Sequence, residues 1–229
     1  MKLVCKYCGN ACTKAGKQKK TSIQRYQCKH CKKYQQENYT RARIPLYKLH
    51  WVHILNNEGC GISSVGRILT ITKSSVQRVI ENLAQTLPKR VFTECGQSYE
   101  IDELRTFCGS KKQETWVIYA INKRTRQIVS FWVGRRTKEN VGKVIKDLLA
   151  LAPKHIYTDR LNIYETLIPK KIHKYYPKCT NHIERKNLTL RTHLKRLNRK
   201  TICFTRSEAM LYNVLHLWMY NDPFVKVAA

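Results

Sequence analysis

Acidic residues are scarce in this 229-residue chain, where 15 Asp and Glu stand against 44 Lys and Arg. The formal net charge of +29 exceeds what solubility needs, and a chain so charged repels itself unless a polyanion neutralises it. Nucleic acid is the expected partner. A ribosome-associated or merely basic protein would share the charge but seldom carries a long α/β region. Long apolar runs are missing too. Nothing approaches the ~18 consecutive apolar residues of a membrane-spanning helix. The opening stretch MKLVCKYCGN has no apolar core of signal-peptide type. The expectation is a soluble, cytoplasmic protein with no membrane role. No internal repeat or low-complexity segment occurs, and the length suits one sizeable core plus a small module, or two compact domains.

Cysteine, by contrast, is plentiful: ten residues, five of them (Cys5, Cys8, Cys12, Cys28, Cys31) within the first 31 positions. In a reducing compartment such clustering points to metal rather than disulfides. Cys5 and Cys8, then Cys28 and Cys31, form two C-x2-C knuckles that let four thiolates meet around one tetrahedral Zn²⁺. Residues 1–42, too short and polar to fold on an apolar core, therefore read as a structural zinc ribbon. Its basic loop (Lys14, Lys17, Lys19, Lys20, Arg25) faces phosphates in this reading. Cys12 and His30 do not improve the spacing. Cys60, Cys95, Cys108, Cys179 and Cys203 are scattered singly, which predicts packing roles.

From residue 43 to 90 the apolar residues recur at helical spacing: Leu46, Leu49, Val52, His53 and Leu55 on one helix, then two shorter helices. GISSVGRILTITKSSVQRVIENL reads as a helix-turn-helix with a seam of Val65, Ile68, Ile71, Val76 and Val79. Its second helix, opening near Lys73, would present Lys73, Ser74, Ser75, Gln77 and Arg78 to the major groove. Gln and Arg make bidentate contacts to base edges. An ordinary helical hairpin has the same pattern. Pro88 closes the block.

Residues 91–229 change period. SYEIDELRTF, TWVIYAINK, QIVSFWVG and HIYTDRL read as strands, with helices at Lys138–Leu151, Asn181–Leu197 and Ser207–Tyr220. The only four Asp are Asp102, Asp147, Asp159 and Asp222. Asp102 falls in the first strand and Asp159 ends the fourth, sharing a face with His155 and Tyr157. Glu184 opens a helix and is the one acid among twelve Lys and Arg between Lys170 and Arg206. From the local sequence alone, a lone carboxylate there reads equally well as a charge-balancing partner for Arg185 or Lys186. Two strand carboxylates and one helix carboxylate, however, suit Mg²⁺, which prefers oxygen ligands, and a pair of such ions supports in-line displacement at phosphorus.

Over nearly its whole length the chain resembles the insertion-sequence-one transposases. The resemblance is carried by EIDEL with TFCGSKK, WVIYAINKRTRQIVSFWVGRRT, YTDRLNIY and, above all, NHIERKNLTLRTHLKRLNRKTICFTRS. It implies an α/β fold with an RNase H-like mixed-sheet catalytic domain behind the zinc ribbon and helix-turn-helix. It also implies that Asp102, Asp159 and Glu184 form a DDE triad holding Mg²⁺ or Mn²⁺. The implied reaction is cleavage at terminal inverted repeats of double-stranded DNA followed by strand transfer into target DNA, with a homo-oligomer joining the ends. The family's two reading frames are one continuous frame here. A DNA-binding regulator, a structure-specific nuclease and a non-catalytic relative are the alternatives.

Rivals remain within the site. Glu100 shares the face of Asp102, and Glu103 lies on the opposite face; a one-residue register slip makes either the ligand. Asp147 is expected to pair with helix neighbours such as Lys143 and Lys146. Ile183, Asn187, Leu190, Leu194 and Leu197 form a packing face of the Glu184 helix, with Glu184, Arg191 and Lys195 beside it and Arg185 among the DNA contacts. His182 and His193 read as surface or packing residues, and Trp116, Trp132 and Trp218 as core.

Overall fold

The computed structural model describes residues 3–18, 22–37, 44–89 and 91–220. The chain forms two compact units, residues 1–44 and 45–229.

The first unit is a three-stranded antiparallel sheet, β1 (Cys12–Lys17), β2 (Gln24–Cys28) and β3 (Tyr34–Gln36), in that order. Two matching turns flank it. Gly9 N–H donates to Cys5 O and Lys32 N–H donates to Cys28 O, and both Gly9 and Lys32, four residues after a cysteine, take left-handed backbone (φ 74° and 57°). Gln35, nearly buried, ties the first turn to β3: its Oε1 accepts from Lys6 N–H at 2.9 Å and its Nε2 donates to Val4 O at 2.8 Å. Lys14, Lys17 and Arg25 are exposed; Lys19 and Lys20 lie outside the described residues.

The second unit opens with α1 (Leu46–Asn57), α2 (Ile62–Ile68) and α3 (Lys73–Thr86). Thr72 caps α3, its Oγ1 accepting from Ser75 N–H at 3.2 Å. Val65, Val76 and Val79 are buried in the seam between α2 and α3, whereas Ile68, expected there, is 58% exposed. Leu46 is also exposed, and the polar Asn56 and Asn57 are buried in its place. Asn56 Nδ2 reaches Val214 O at 3.4 Å. The reason is tertiary: α1 and α3 pack on α7 (Glu208–Tyr220), so the buried stripe follows that helix. At the end of α1, Gly59 (φ +76°) sits so close to α6 (Asn181–His193) that a Cβ would lie 1.9 Å from His193 O.

A five-stranded sheet follows, in the order β6 (Ile128–Gly134), β5 (Glu114–Asn122), β4 (Ser98–Phe107), β7 (His155–Tyr157) and β8 (His173–Lys174). β4, β5 and β6 pair antiparallel, and β7 and β8 run parallel to β4. α4 (Lys138–Leu149) and α5 (Asn162–Leu167) cover one face, meeting Tyr99, Ile101, Ile118 and Ile156; α6 and α7 cover the other, over Leu104, Tyr119, Phe131 and Val133. This mixed sheet between helical layers is the expected mixed-sheet α/β arrangement.

Several expectations shift. The fourth strand stops at Tyr157, so Asp159 stands in the loop beyond it. The Glu184 helix ends at His193, and Lys195–Leu197 form a separate 3-10 turn. α5 and β8 went unread, being six and two residues long. Trp218 is fully buried, but Trp116 and Trp132 are only half-buried, with Arg136 and Lys143 lying over their rings. Asp147 is exposed and accepts from Ser130 Oγ at 2.5 Å, while Lys143 pairs instead with Glu139 at 3.3 Å. Cys108 and Cys179 are buried and Cys60 partly so, but Cys95 and Cys203 are exposed.

Candidate active site

The pairing of β4 with β7 sets the site. Glu100 lies opposite Tyr157 in a parallel ladder, so two residues further along both chains Asp102 and Asp159 come out side by side at the C-terminal end of β7. Side chains alternate along β4: Glu100, Asp102 and Leu104 face α6, and Ile101 and Glu103 face α4 and α5. Even so, Asp102, Glu103 and Asp159 each bring a carboxylate oxygen to within 4.8 Å of the others.

Asp102 is held on both oxygens. Oδ1 accepts from Glu103 N–H at 2.8 Å and Oδ2 accepts from Asn187 Nδ2 at 2.6 Å; Asn187 Oδ1 in turn accepts from Tyr119 O–H at 2.8 Å. Glu103 accepts from Tyr164 O–H at 2.6 Å, and Asp159 Oδ1 accepts from Leu161 N–H at 3.1 Å. Burial, with the charges of Asp159 and Glu184 adding to it, pushes the Asp102 carboxyl up to about 6. Burial and the charges of Asp159 and Asp102 push Glu103 up to about 7, against the pull of the Tyr164 bond and Arg136. Among the described residues these crowded, desolvated carboxylates form no ion pair, and their hard oxygens suit a divalent cation.

Glu184 lies in the first turn of α6, exposed, accepting from Thr180 Oγ1 at 3.0 Å. It stands outside the tight trio, near enough for its charge to act on Asp102. Arg191, half-buried on the same helix, feels the charge of Asp102, and its Nη1 donates to Leu197 O at 3.3 Å. Arg185 and Lys195 are exposed. Glu100 has a role of its own: completely buried, it accepts from the N–H groups of His182 and Ile183 at 3.1 and 2.9 Å, from His182 Nδ1 at 2.6 Å, and pairs with Lys123 at 3.4 Å. A strand carboxylate thus closes the open N-terminus of the helix that carries Glu184. The local signal for Asn187 was its place one turn after Glu184; nothing in sequence announced its bond to Asp102.

In the helix-turn-helix, Lys73, Ser74, Gln77 and Arg78 are exposed along one side of α3. Ser75 is half-buried, with its N–H and hydroxyl both bonded to Thr72. In the first unit the Sγ atoms of Cys5 and Cys31 lie 3.6 Å apart, and those of Cys8 and Cys28 3.5 Å apart, with all four within 4.8 Å of one another. Four sulfurs at about 2.3 Å from one ion form a tetrahedron with edges of about 3.8 Å, so the set fits Zn²⁺ with little adjustment. Cys12 stays outside this set, and burial pushes its thiol up to about 11.

A mixed-sheet α/β domain with carboxylates crowded between the middle of its central strand and the end of the neighbouring strand is a build suited to a polynucleotidyl transferase. The IS1 transposase family matches residues 96–224, and the chain belongs to this family of DDE transposases. A relative from Shigella dysenteriae, the insertion element iso-IS1n protein InsB, is 40% identical over 125 residues, covering 55% of this chain and 95% of the relative. The IS1 protein InsB of Shigella flexneri is 34% identical over 108 residues, 47% of this chain and 82% of the relative. An InsB protein of Escherichia coli K12 is 33% identical, and the match spans 65% of its length. Among solved structures, a chain of a simian T-cell lymphotropic virus intasome has a TM-score of 0.40 at 16% identity, covering 78% of this chain and 70% of that one. The HTLV-2 integrase catalytic core, determined with magnesium, has a TM-score of 0.39 at 14% identity, covering 59% of this chain and 91% of that one.

Proposed function

We propose that this protein binds the terminal inverted repeats of an insertion sequence and cuts and rejoins DNA strands at Asp102, Asp159 and Glu184. The observation that carries this reading is the convergence of Asp102 and Asp159 beneath α6, whose first turn supplies Glu184 and whose flanks are basic. Asn187 and the Glu103 N–H fix the orientation of Asp102. Arg191 neutralises phosphate charge beside it, while Arg185 and Lys195 hold the DNA backbone further out. Bound Mg²⁺ or Mn²⁺ supplies Lewis acidity to the attacking and leaving oxygens at phosphorus. Residues 1–42 act as a zinc-held ribbon on Cys5, Cys8, Cys28 and Cys31, residues 43–90 read the repeat through Lys73, Ser74, Ser75, Gln77 and Arg78, and residues 91–229 perform the chemistry. Two ends must meet, so the working form on DNA is a homo-oligomer, acting in the cytoplasm of a bacterial host.

A second reading of the metal ligands is favoured by one observation: Glu103, not Glu184, completes the tight oxygen cluster. Glu184→Gln and Glu103→Gln separate the two. The first variant is expected to bind repeat DNA as the parent does and to lose Mg²⁺-dependent cleavage by at least about a thousandfold. Cleavage that survives in Glu184→Gln and vanishes in Glu103→Gln moves the third ligand to Glu103.

A further inference from the structure

A cavity of about 620 Å³ opens at the end of the sheet beyond Phe107 and Glu114, and neither the carboxylate cluster nor α2 and α3 line it. Its volume is in the range that encloses a small organic ligand. The walls are fixed by the backbone: Cys108 bridges to Thr205, Gly109 N–H donates to Thr205 O at 2.9 Å, and Cys108 N–H donates to Gln113 O at 3.2 Å. Four cations line it, Lys112, Arg135, Arg136 and Arg206. The two acids in its wall are already engaged, Glu114 with Arg105 and Glu208 with Thr115 Oγ1. Among the described residues Lys112, Arg135 and Arg206 form no ion pair with a carboxylate.

One flat surface completes the cavity. Trp116 is half-buried in the wall, and the Arg136 guanidinium lies over its ring at 4.2 Å from the centroid. Trp116 pairs with Arg105, two residues along β4 from Glu103 and on the same face of the strand, so this end of the cavity lies near the carboxylate cluster. A paired base cannot reach a half-buried indole from within a duplex. An unpaired base can, and cations around an aromatic platform are the means by which single strands are held.

We propose that this cavity receives an unpaired nucleotide of the DNA strand whose phosphodiester lies at the carboxylates, with its base against Trp116 and Arg136 and its phosphates on Arg135, Arg206 and Lys112. The inference rests on the DNA-processing reading above and adds to it a site for a frayed or already cut strand end.

The test is binding by the full chain, with no added Mg²⁺, to a blunt repeat-end duplex and to the same duplex carrying a short single-stranded tail. The tailed DNA is expected to bind about tenfold tighter. In Arg135→Ala/Arg206→Ala the ratio should fall to about twofold or less, and the slope of log affinity against log salt on tailed DNA should drop by about 1.4, the loss of two single-strand phosphate contacts. Both arginines are exposed, so the fold should be unaffected; the charge-keeping Arg135→Lys/Arg206→Lys should retain the slope. Trp116→Leu should lose the ratio and keep the slope. Duplex binding with no preference for the tail, or a preference that survives in both the arginine and tryptophan variants, overturns the inference and leaves the transposase reading intact. Failure to bind either DNA overturns both.

Discussion

At the scale of single residues, the site is an economy of crowded negative charge in a chain that has little of it. Asp102 and Glu103 both have carboxyls raised well above their ordinary range, chiefly by burial. Their raised values mean that the folded state binds more protons than the unfolded one between about pH 4 and pH 7, so in the absence of divalent ions stability should fall as pH rises through that window. Glu103→Gln removes one of the two contributions. Denaturant unfolding at pH 5.5 and pH 8 should show a shallower loss for the variant than for the parent, and equal slopes would contradict the assigned burial. Gly59 makes a steric prediction. Its left-handed backbone and a Cβ position 1.9 Å from His193 O leave no room for a side chain. Gly59→Ala should destabilise by about 2 kcal/mol or more, read as a lower denaturation midpoint.

At the scale of elements, α6 carries Glu184, Asn187 and Arg191, and its N-terminus is closed by a residue from another element. Glu100→Gln keeps the shape but removes charge-assisted bonds to His182 and Ile183 and the partner of Lys123. A cost of about 1.5 to 3 kcal/mol is expected, together with a fall in cleavage rate as Glu184 loses its fixed position; unchanged stability would argue against the capping role. The ribbon makes a second prediction at this scale. Its fold rests on four cysteines, with little apolar burial beside them, so a strong chelator should unfold residues 3–37 and abolish repeat-specific binding. Binding that survives zinc removal would sink the proposed role of Cys5, Cys8, Cys28 and Cys31.

Much at this scale was legible in the sequence. The C-x2-C spacing, the three helices before Pro88, and the strands around SYEIDELRTF and QIVSFWVG all appear where the pattern put them, because local periodicity and turn chemistry decide them. What was not legible is tertiary. Leu46 obeys helical spacing yet is exposed, because α7 from later in the chain decides which stripe of α1 is covered. Likewise alternation along β4 separates Glu103 from Asp102, but the loop carrying Asp159 and the approach of Tyr164 from α5 draw all three carboxylates together. Strand length misled in one place: HIYTD reads as five residues of strand, and the ladder ends at Tyr157, freeing Asp159 to turn into the site.

At the scale of the whole molecule, the net charge of +29 includes several separate basic surfaces. The exposed side of α3, the flank of α6 and the arginines around Trp116 are three distinct basic surfaces, and no helix among the described residues is long and apolar enough to cross a membrane. Binding to repeat DNA should weaken steeply with salt, with a log–log slope near 0.9 per phosphate neutralised. The most direct test of the account is incubation of the full chain with Mg²⁺ and labelled fragments carrying candidate repeat ends beside unlabelled target DNA. Slower-migrating joined products that depend on Asp102, Asp159 and Glu184 are the predicted result; cleavage without any joined product, or joining that persists when Asp102 is replaced by Asn, would contradict it.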